Sequence, residues 1–444
     1  MQKKRIIATS ILCGASTFLI TACGSTSPSS TSAASSAKKV TVTLWSWTPI
    51  DSTMNTIVAQ IEKKYPNINI QTNIEPNSDY LIALKSAAAS GSLPDIVGLS
   101  AGSLTQEYQP NLQPLNSVAN TLWGSSWKQD FPAAALSQAM LGNPKGNTNT
   151  YMLPQEVEVI NIWYNRQIFH QLHLNPPSSF AQLATDAHKM QSAGYIGFYE
   201  GGAQTDFVEW MYMQIAAQTD LSALEASARG TPEWTQPGMI KAAEYWKKFF
   251  TDKVFQAGAL GDEQYPTGAN LFAAGRVGMM SLGSWWLQES QLSTSPAGLK
   301  SMQDYGTFFL PPMAPGLKAT PPMGGVDFGW GLTKNADKSA GVEKATKEVL
   351  KELISGVGEQ VSLNQMNDLP AFKGMNPTIS LNSHILSLYH NYLQEIKVAH
   401  NHEIGNPTVA EALVSNLQAV GAGTESPSAA MQAIQKVAVS QGQS

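Results

Sequence analysis

The stretch that decides the fold is Lys38-Lys39-Val40-Thr41-Val42-Thr43-Leu44-Trp45, a run rich in β-branched residues that predicts a β-strand. A helix is expected next, with Asp51 as its cap and with Met54, Ile57 and Ile61 on one apolar face. The order strand, then helix, is the first unit of an α/β fold.

The same order recurs along the chain. Further strands are predicted at residues 68–72, 95–99, 158–163, 195–199 and 277–282. Helices are predicted at 80–89, at 180–193 with Ser178 or Ser179 as cap, after Ser339 as cap, and after Pro407 and Pro427. Strands that alternate with helices predict a mostly parallel sheet with helices on both faces. Roughly 400 residues exceed what one hydrophobic core usually holds, so two lobes are expected.

The first residues have the pattern of a secretory signal. Lys3, Lys4 and Arg5 precede an apolar run, residues 6–22, that is short for a membrane-spanning helix. The sequence Leu19-Ile20-Thr21-Ala22-Cys23 resembles the lipobox of bacterial lipoproteins. That resemblance implies removal of residues 1–22 and attachment of a diacylglyceryl group to Cys23, which would anchor the chain to the outer face of a cell membrane. The alternative is an ordinary signal peptide that is cut elsewhere.

The composition of the chain excludes several classes of function. Residues 23–38 are mostly Ser, Thr, Ala and Gly, which predicts a flexible tether. Loss of residues 1–22 would remove three positive charges and take the formal net charge from −5 to about −8, and no basic patch suggests nucleic acid. The only cysteines are Cys13 and Cys23, so we expect no disulfide and no thiolate metal site after the tether. No cofactor is expected, and we expect a monomer.

Six segments, in order, resemble the solute-binding proteins of bacterial ABC importers, in particular the sugar-binding group that includes maltose-binding proteins. They are residues 42–47 (Val-Thr-Leu-Trp-Ser-Trp), 91–97 (Gly-Ser-Leu-Pro-Asp-Ile-Val), Pro154 with 163–166 and 176–180, 272–279, Gly324-Gly325 with the helix after Ser339, and Leu369-Pro370-Ala371. Together they cover nearly the whole chain after the tether.

The resemblance implies a periplasmic-binding-protein-like fold of two α/β lobes that close on a ligand. Crossovers are expected near residues 154–157 and 325–328 and after Ala371. This places residues 39–155 plus 328–372 in an N-terminal lobe and 156–327 plus 373–444 in a C-terminal lobe. The implied partners are a sugar and the membrane permease subunits of an ABC importer.

A sugar presents an apolar C–H face, which aromatic rings match, and hydroxyl groups, which carboxylates and amides match. The resemblance suggests ligand contacts from Trp47, Glu158, Trp285 and the second crossover, where Gly325, Asp327 and Trp330 lie. Further candidates are Trp286, Asp206, Trp210 and Ser100. Asp95 is expected to be structural. Leu99 and Gly102 stand where maltose-binding proteins have a Trp and an Asp, so the maltose-type pocket is not reproduced.

Alternatives remain at this point. Gly98-Leu99-Ser100-Ala101-Gly102 matches the G-x-S-x-G pattern of α/β-hydrolases, which would make Ser100 a nucleophile. His400-Asn401-His402-Glu403, or His170 and His173, could belong to a metal site. The ligand could also be a peptide, a polyamine or an anion, and an adhesion role is the remaining alternative.

Overall fold

The structure is a computed structural model that describes residues 39–291 and 295–442. The expected signal segment, the lipidation site Cys23 and the tether lie outside the described residues. None of the helices in the part of the chain that is described combines the length and the apolar character needed to cross a bilayer.

Nine strands are present in the described ranges. They are β1 (Val40–Ser46), β2 (Ile68–Ile74), β3 (Ile96–Leu99), β4 (Leu153–Asn165), β5 (Ile196–Tyr199), β6 (Val277–Gly283), β7 (Tyr305–Phe308), β8 (Met323–Leu332) and β9 (Leu369–Pro370).

Sixteen α-helices accompany the strands within the same ranges. They are α1 (Asp51–Lys64), α2 (Asn77–Ser90), α3 (Ser103–Tyr108), α4 (Asn116–Trp123), α5 (Ala133–Gln138), α6 (Arg166–Gln171), α7 (Phe180–Ser192), α8 (Thr205–Ala228), α9 (Pro237–Thr251), α10 (Ala269–Ala273), α11 (Ala297–Lys300), α12 (Ala340–Ser355), α13 (Val357–Met366), α14 (Ser383–Glu395), α15 (Pro407–Gly421) and α16 (Pro427–Ser440). A 3₁₀ segment, Ser284–Gln291, follows β6 directly.

The sheet has the order β2-β1-β3-β8-β4-β6-β5, with β7 and β9 paired to β4. Pairing is parallel at both ends, where β1 joins β2 and β3, and where β5 joins β6. The two longest strands, β4 and β8, run antiparallel through the middle and connect the ends. The predicted fold class, a two-lobed α/β protein with parallel strands flanked by helices, is confirmed.

The strands β4 and β8 pass from one hydrophobic core to another. The first core gathers β1, β3 and α12 side chains such as Leu44, Leu99 and Val349. The second core gathers α7, α9 and α15 side chains such as Leu183, Trp246 and Leu413. Two hydrophobic cores that are joined by the same two central strands agree with the two-lobed fold. The residue boundaries of the lobes stay a prediction.

Helix starts follow the sequence pattern with one exception. The hydroxyls of Ser179 and Ser339 accept hydrogen bonds from the backbone N–H of Gln182 at 3.2 Å and of Val342 at 3.3 Å, as expected for N-caps. The expected cap at Asp51 is wrong, because Asp51 is the first residue of α1 and Ile50 is the cap residue, without a side-chain hydrogen bond. A carboxylate in the first turn still favours the helix through the macrodipole.

Asp95 ties β3 to its neighbours and is structural, as expected. Its fully buried carboxylate accepts hydrogen bonds from the backbone N–H and the hydroxyl of Thr43, both at 2.8 Å. Lys338, which precedes α12 and is half exposed, donates to the other oxygen at 2.7 Å. One buried side chain thus links β1, the start of β3 and the residue before α12, in addition to the backbone pairing of the strands.

We predict that Asp95→Ala lowers the free energy of unfolding by about 1–3 kcal/mol, because it leaves the buried N–H of Thr43 without an acceptor. Denaturant unfolding measures the effect. The matched control is Glu244→Gln, which removes the exposed 2.7 Å pair with Lys241 and should cost at most about 1 kcal/mol. An Asp95 variant as stable as the control would contradict this assignment.

Candidate functional site

A buried carboxylate in the middle of β4 is the centre of the candidate site. Glu158 is 1% exposed and lies opposite Gly325 of β8. His402 Nε2 lies 2.6 Å from Glu158 Oε1, while Glu158 Oε2 has no hydrogen-bond partner. A carboxylate oxygen that is buried without a partner is costly, so it marks a place where a ligand group would be accommodated.

Four half-buried aromatic side chains lie beside this carboxylate. The rings of Trp210 and Trp285 are 5.5 Å apart, and Phe207 is 5.3 Å from Trp210. Trp285 Nε1 donates a hydrogen bond to the hydroxyl of Tyr265 at 2.9 Å. Trp210 and Phe207 lie in the first two turns of α8, and Trp285 is the second residue of the 3₁₀ segment after β6. These rings form an apolar surface with polar edges.

The position of Gly283 shows how closely Trp285 and Glu158 approach each other. A Cβ atom on Gly283 would clash with the Trp285 ring and would lie 2.7 Å from Glu158 Oε2. The unpaired carboxylate oxygen is therefore close to the ring of Trp285. Trp285 packs against the first core, whereas the buried residues of α8 belong to the second, so the site lies where the two cores meet.

The segment from His400 to Gly405 completes one wall. Its backbone is held by Gly324 N–H, which donates to His400 O at 2.9 Å, and by Ile404 N–H, which donates to Glu209 Oε1 at 2.9 Å. The His402 ring is 5.6 Å from the Trp210 ring. Trp210 Nε1 donates to Glu403 Oε1 at 3.2 Å. Residues far apart in sequence thus fix the orientation of Trp210.

Burial dominates the electrostatics of the site. Desolvation raises the pKa of Glu158 well above its usual range, and the nearby Asp206 carboxylate raises it further. Burial, followed by the charge of Glu158, raises the pKa of Asp327. Burial raises the pKa of Glu403 and brings the pKa of Glu209 to about 8. Burial lowers the pKa of His402 to about 4, so this ring is neutral at pH 7.

Asp206 combines two properties that are usually exclusive. Its side chain is accessible to solvent, yet the surrounding protein desolvates the carboxylate enough to raise its pKa. Asp327, on β8, is partly exposed and also has a raised pKa for the same main reason. This combination is expected of side chains that line a narrow, solvent-filled cleft rather than an open surface.

The structure brings five of the predicted ligand residues together: Glu158, Trp285, Trp210, Asp206 and Asp327. It adds residues that the sequence did not single out as ligand contacts, namely Phe207, Glu209, Tyr265, His402 and Glu403. The His-Asn-His-Glu run was considered only as a metal site. The aromatic pair Phe207 and Tyr265 carries no local pattern that distinguishes it from core residues.

Two predicted contacts are placed elsewhere. Trp330 has no exposed surface, and its indole N–H donates to the Gln155 side chain inside the core. Trp286 is also fully buried, with its ring 5.3 Å from that of Phe272. On β8, Trp330 and Asp327 are three residues apart, so their side chains point to opposite faces of the sheet. In the 3₁₀ segment, the side chain of Trp286 points away from that of its neighbour Trp285. Neither offers surface to a ligand in this arrangement.

Gly325 packs closely against Gln138, and its contact with a ligand stays a prediction. Its φ is +152°, and a Cβ atom there would clash with the Gln138 side chain. Gln138 is buried and held by bonds to Gly324 O at 3.0 Å and from Val326 N–H at 2.5 Å. The expected close approach at Gly325 is therefore made by Gln138 of α5.

Trp47 and Ser100 lie at the edge of the first core. Trp47 is half-buried, with its ring 4.9 Å from Phe328 and 5.3 Å from Tyr80, and its contact with a ligand stays a prediction. Ser100 is half-buried and precedes α3, which has only six residues. A hydrolase nucleophile elbow opens a long helix, so this geometry does not fit that alternative.

Two of the four histidines considered for a metal site, His400 and His402, pair with carboxylates instead. His400 Nδ1 lies 2.8 Å from Glu225 Oε1, and His402 contacts Glu158. Within residues 39–291 and 295–442, no cluster of three or more His, Asp or Glu side chains is arranged to hold a metal ion.

Comparison with known proteins agrees with this architecture. The family described as bacterial extracellular solute-binding protein matches residues 45–355. An ABC transporter extracellular-binding protein from Pyrococcus horikoshii is 25% identical over 269 residues, which cover 57% of this chain and 56% of that protein. The match thus spans little more than half of that relative's length.

Two further proteins are similar over longer stretches. The galactooligosaccharide-binding protein of Bacillus subtilis is 20% identical over 366 residues, which cover 82% of this chain and 80% of that protein. The solved structure of a chitin oligosaccharide binding protein superposes with a TM-score of 0.73 at 20% identity, covering 90% of this chain and 98% of that one.

The family match covers well over half of the sequence, and the two-core fold with its central crossing strands is that of the solved relatives. The chain belongs to the bacterial extracellular solute-binding protein family.

Proposed function

We propose that this chain captures a carbohydrate, a mono- or oligosaccharide, between its lobes and delivers it to an ABC importer. One observation carries the proposal: the paired rings of Trp210 and Trp285 lie beside the unpaired, buried oxygen of Glu158. Solvent-accessible Asp206 and Asp327 are electrostatically coupled to the same carboxylate.

Each part of this arrangement matches one part of a sugar. The apolar C–H face of a pyranose ring stacks on an indole, as the rings here are placed to allow. Hydroxyl groups donate to carboxylate oxygens, and a carboxyl group that holds its proton can also donate to a ring or hydroxyl oxygen. Because an unmade buried hydrogen bond costs about 1–3 kcal/mol, the unpaired oxygen of Glu158 favours a ligand that donates to it.

The similar proteins support the ligand class. The names of the Bacillus subtilis relative and of the solved relative both specify oligosaccharides. The rings of Trp210 and Trp285, tilted by 55° to each other, supply two aromatic surfaces, which can accommodate more than one sugar ring. A peptide or an anion has no comparable feature in the described residues, and no group of side chains there is arranged to hold a metal ion.

Delivery requires a place beside the transporter. We propose that Cys23 carries the lipid anchor, that residues 24–38 act as the tether, and that the lobes work on the extracytoplasmic face of the membrane with the permease subunits as partners. Closure of the two lobes about β4 and β8 would be the change that the permease recognises. No catalytic step and no cofactor are part of this function.

We predict that at least one carbohydrate in a broad panel raises the melting temperature of residues 39–444. Binding to the folded state alone adds about 2.7 kcal/mol of stability at a ligand concentration of 100 Kd. Differential scanning fluorimetry with mono- and oligosaccharides, amino acids, polyamines and divalent metals measures this. A response to amino acids or metals with none among the sugars would contradict the proposal.

Replacement of Trp285 by alanine should weaken binding of the sugar found in that panel by at least about tenfold, because the stacking surface is lost. Isothermal titration calorimetry gives the dissociation constants. Trp123→Ala is the matched control, since Trp123 is also half-buried but donates to Ser355 and packs on Phe131 in the first core. Equal sugar affinities of the two variants would show that Trp285 does not contact the sugar.

The buried carboxyl groups also make the stability of the ligand-free protein depend on pH. Glu209, with a pKa raised to about 8, and Glu289, raised to about 7, hold protons that the unfolded chain releases near pH 4.5. Stability therefore falls as the pH rises through this range. His402, lowered to about 4, acts in the opposite direction only between about pH 4 and pH 6.5.

We predict that the melting temperature of the ligand-free protein falls between pH 6.5 and pH 8. Glu209→Gln keeps an oxygen that can accept from Ile404 N–H but cannot ionise, so its melting temperature should fall less over the same range. Calorimetric scans at constant ionic strength measure both proteins. A wild-type melting temperature that climbs steadily to pH 8 would show that the carboxyl groups are not desolvated as described.

A further inference from the structure

The His400–Gly405 segment fills the space between the two cores on one side of the site. Residues 401–405 within it are all buried. Ile404 N–H donates a hydrogen bond to Glu209 Oε1 at 2.9 Å, and Gly405 N–H donates to the last backbone carbonyl of α8 at 3.0 Å. The segment is therefore fixed to α8, the helix that also carries the stacking surface of the site.

The opposite side of the segment touches the loops that follow β3 and α5, two elements of the first core. A Cβ atom on Gly102, the residue before α3, would lie 2.7 Å from Ile404 O, and one on Gly405 would lie 2.6 Å from Gly142 N. Both distances are shorter than a Cβ atom tolerates, so backbone meets backbone at both places. No sugar ring fits between the segment and these two loops.

The aromatic surface of the site begins at this closed edge. The His402 ring, which belongs to the segment, is 5.6 Å from the Trp210 ring, and the Trp285 ring follows 5.5 Å further on. The unpaired Oε2 atom of Glu158, itself 1% exposed, is close to the ring of Trp285. The polar atom that a ligand would satisfy thus lies within two aromatic rings of the closed edge.

The other end of the aromatic surface is open to solvent. Thr205 and Asp206, in the first turn of α8, are exposed, and Phe207 is half-buried. Asp206 precedes Trp210 by four residues, so the two side chains lie on the same face of the helix, about one turn apart. A chain that stacks on Trp210 therefore has one direction in which to leave the site, past the first turn of α8.

We infer that the protein binds the terminal one or two units of a carbohydrate, and that the His400–Gly405 segment excludes the internal units of a longer chain. This inference rests on the proposed function and names the ligand class within it: a monosaccharide, a disaccharide or the end of an oligosaccharide. A unit stacked on Trp210 meets the His402 ring on one side and cannot be extended there. Further units project past Asp206 into solvent.

Oligosaccharides with blocked ends test the inference. Oligomers of one to six units of α-1,4-glucose, β-1,4-glucose, β-1,4-galactose and β-1,4-N-acetylglucosamine are titrated by calorimetry. In a series that binds, Kd should change by less than threefold between trimer and hexamer. Reduction to the alditol opens the ring at one end of the hexamer, and a 4,6-O-ethylidene group blocks the other end. One of these two modifications should weaken binding at least tenfold.

A hexamer that tolerates both modifications within twofold would show that internal units bind, and it would overturn the inference. Binding of α-cyclodextrin, which has no end, as tightly as maltohexaose would do the same. A series in which only the monomer or dimer binds supports the closed edge.

A variant tests the direction of the open end. Thr205→Trp places a large side chain beside the exit, so it should weaken binding of the hexamer at least threefold and leave the dimer of the same series within twofold of wild type. Thr251→Trp is the matched control, because Thr251 is also exposed at the end of a helix, α9, and it should leave both affinities unchanged. Equal weakening of dimer and hexamer by Thr205→Trp would overturn the assigned direction.

The outcomes distinguish the inference from the function beneath it. Binding of both blocked hexamers overturns the inference and leaves the carbohydrate-binding proposal intact. A thermal response to amino acids or metals, with no binding by any of these oligomers or by any sugar of the panel, overturns both.

Discussion

The contact between Glu158 and His402 is the constraint on which the rest of the site depends. It joins the middle of β4, the longest strand, to a segment 244 residues later in the sequence at 2.6 Å, with both side chains 1% exposed. Because burial keeps His402 neutral, the contact is a hydrogen bond to a carboxyl group rather than a conventional ion pair. It holds the His400–Gly405 segment against Trp210 and leaves the second oxygen of Glu158 turned toward Trp285.

The buried carboxyl groups along these strands lower the stability of the protein when no ligand is bound. Glu156, Glu359 and Asp368 form a second buried acidic group next to Asp327, and their pKa values are also raised, first by burial. Buried acids that lack a partner destabilise a fold, and they persist where a ligand or a conformational change uses them. Glu156 and Glu158 lie on β4 and Asp327 lies on β8, the two strands that pass from one core to the other. Ligand capture and lobe movement are therefore expected to be coupled through the same strands.

Local patterns in the sequence were sufficient for most of the fold. β-branched runs indicated β1 and β2, and serine caps indicated the starts of α7 and α12. Resemblance to a family, rather than pattern, pointed to Glu158 and Trp285. The sequence could not show that Gln138 would fill the space at Gly325 or that Trp330 would turn toward Gln155, because both depend on side chains from distant elements. His402 was missed for the same reason, since its partner lies on another strand.

The measurement that tests this account most directly is a crystal structure of residues 39–444 with the tightest-binding sugar from the panel. The account predicts a sugar ring stacked on Trp285 or Trp210, with a donor group of the ligand within hydrogen-bond distance of Glu158 Oε2. Cavities elsewhere in the described residues include one of about 920 Å³ lined by Phe250 and Phe255, and one of about 490 Å³ lined by Gln138 and Phe372. A sugar bound in either of these, with the Trp210–Trp285 face empty, would contradict it.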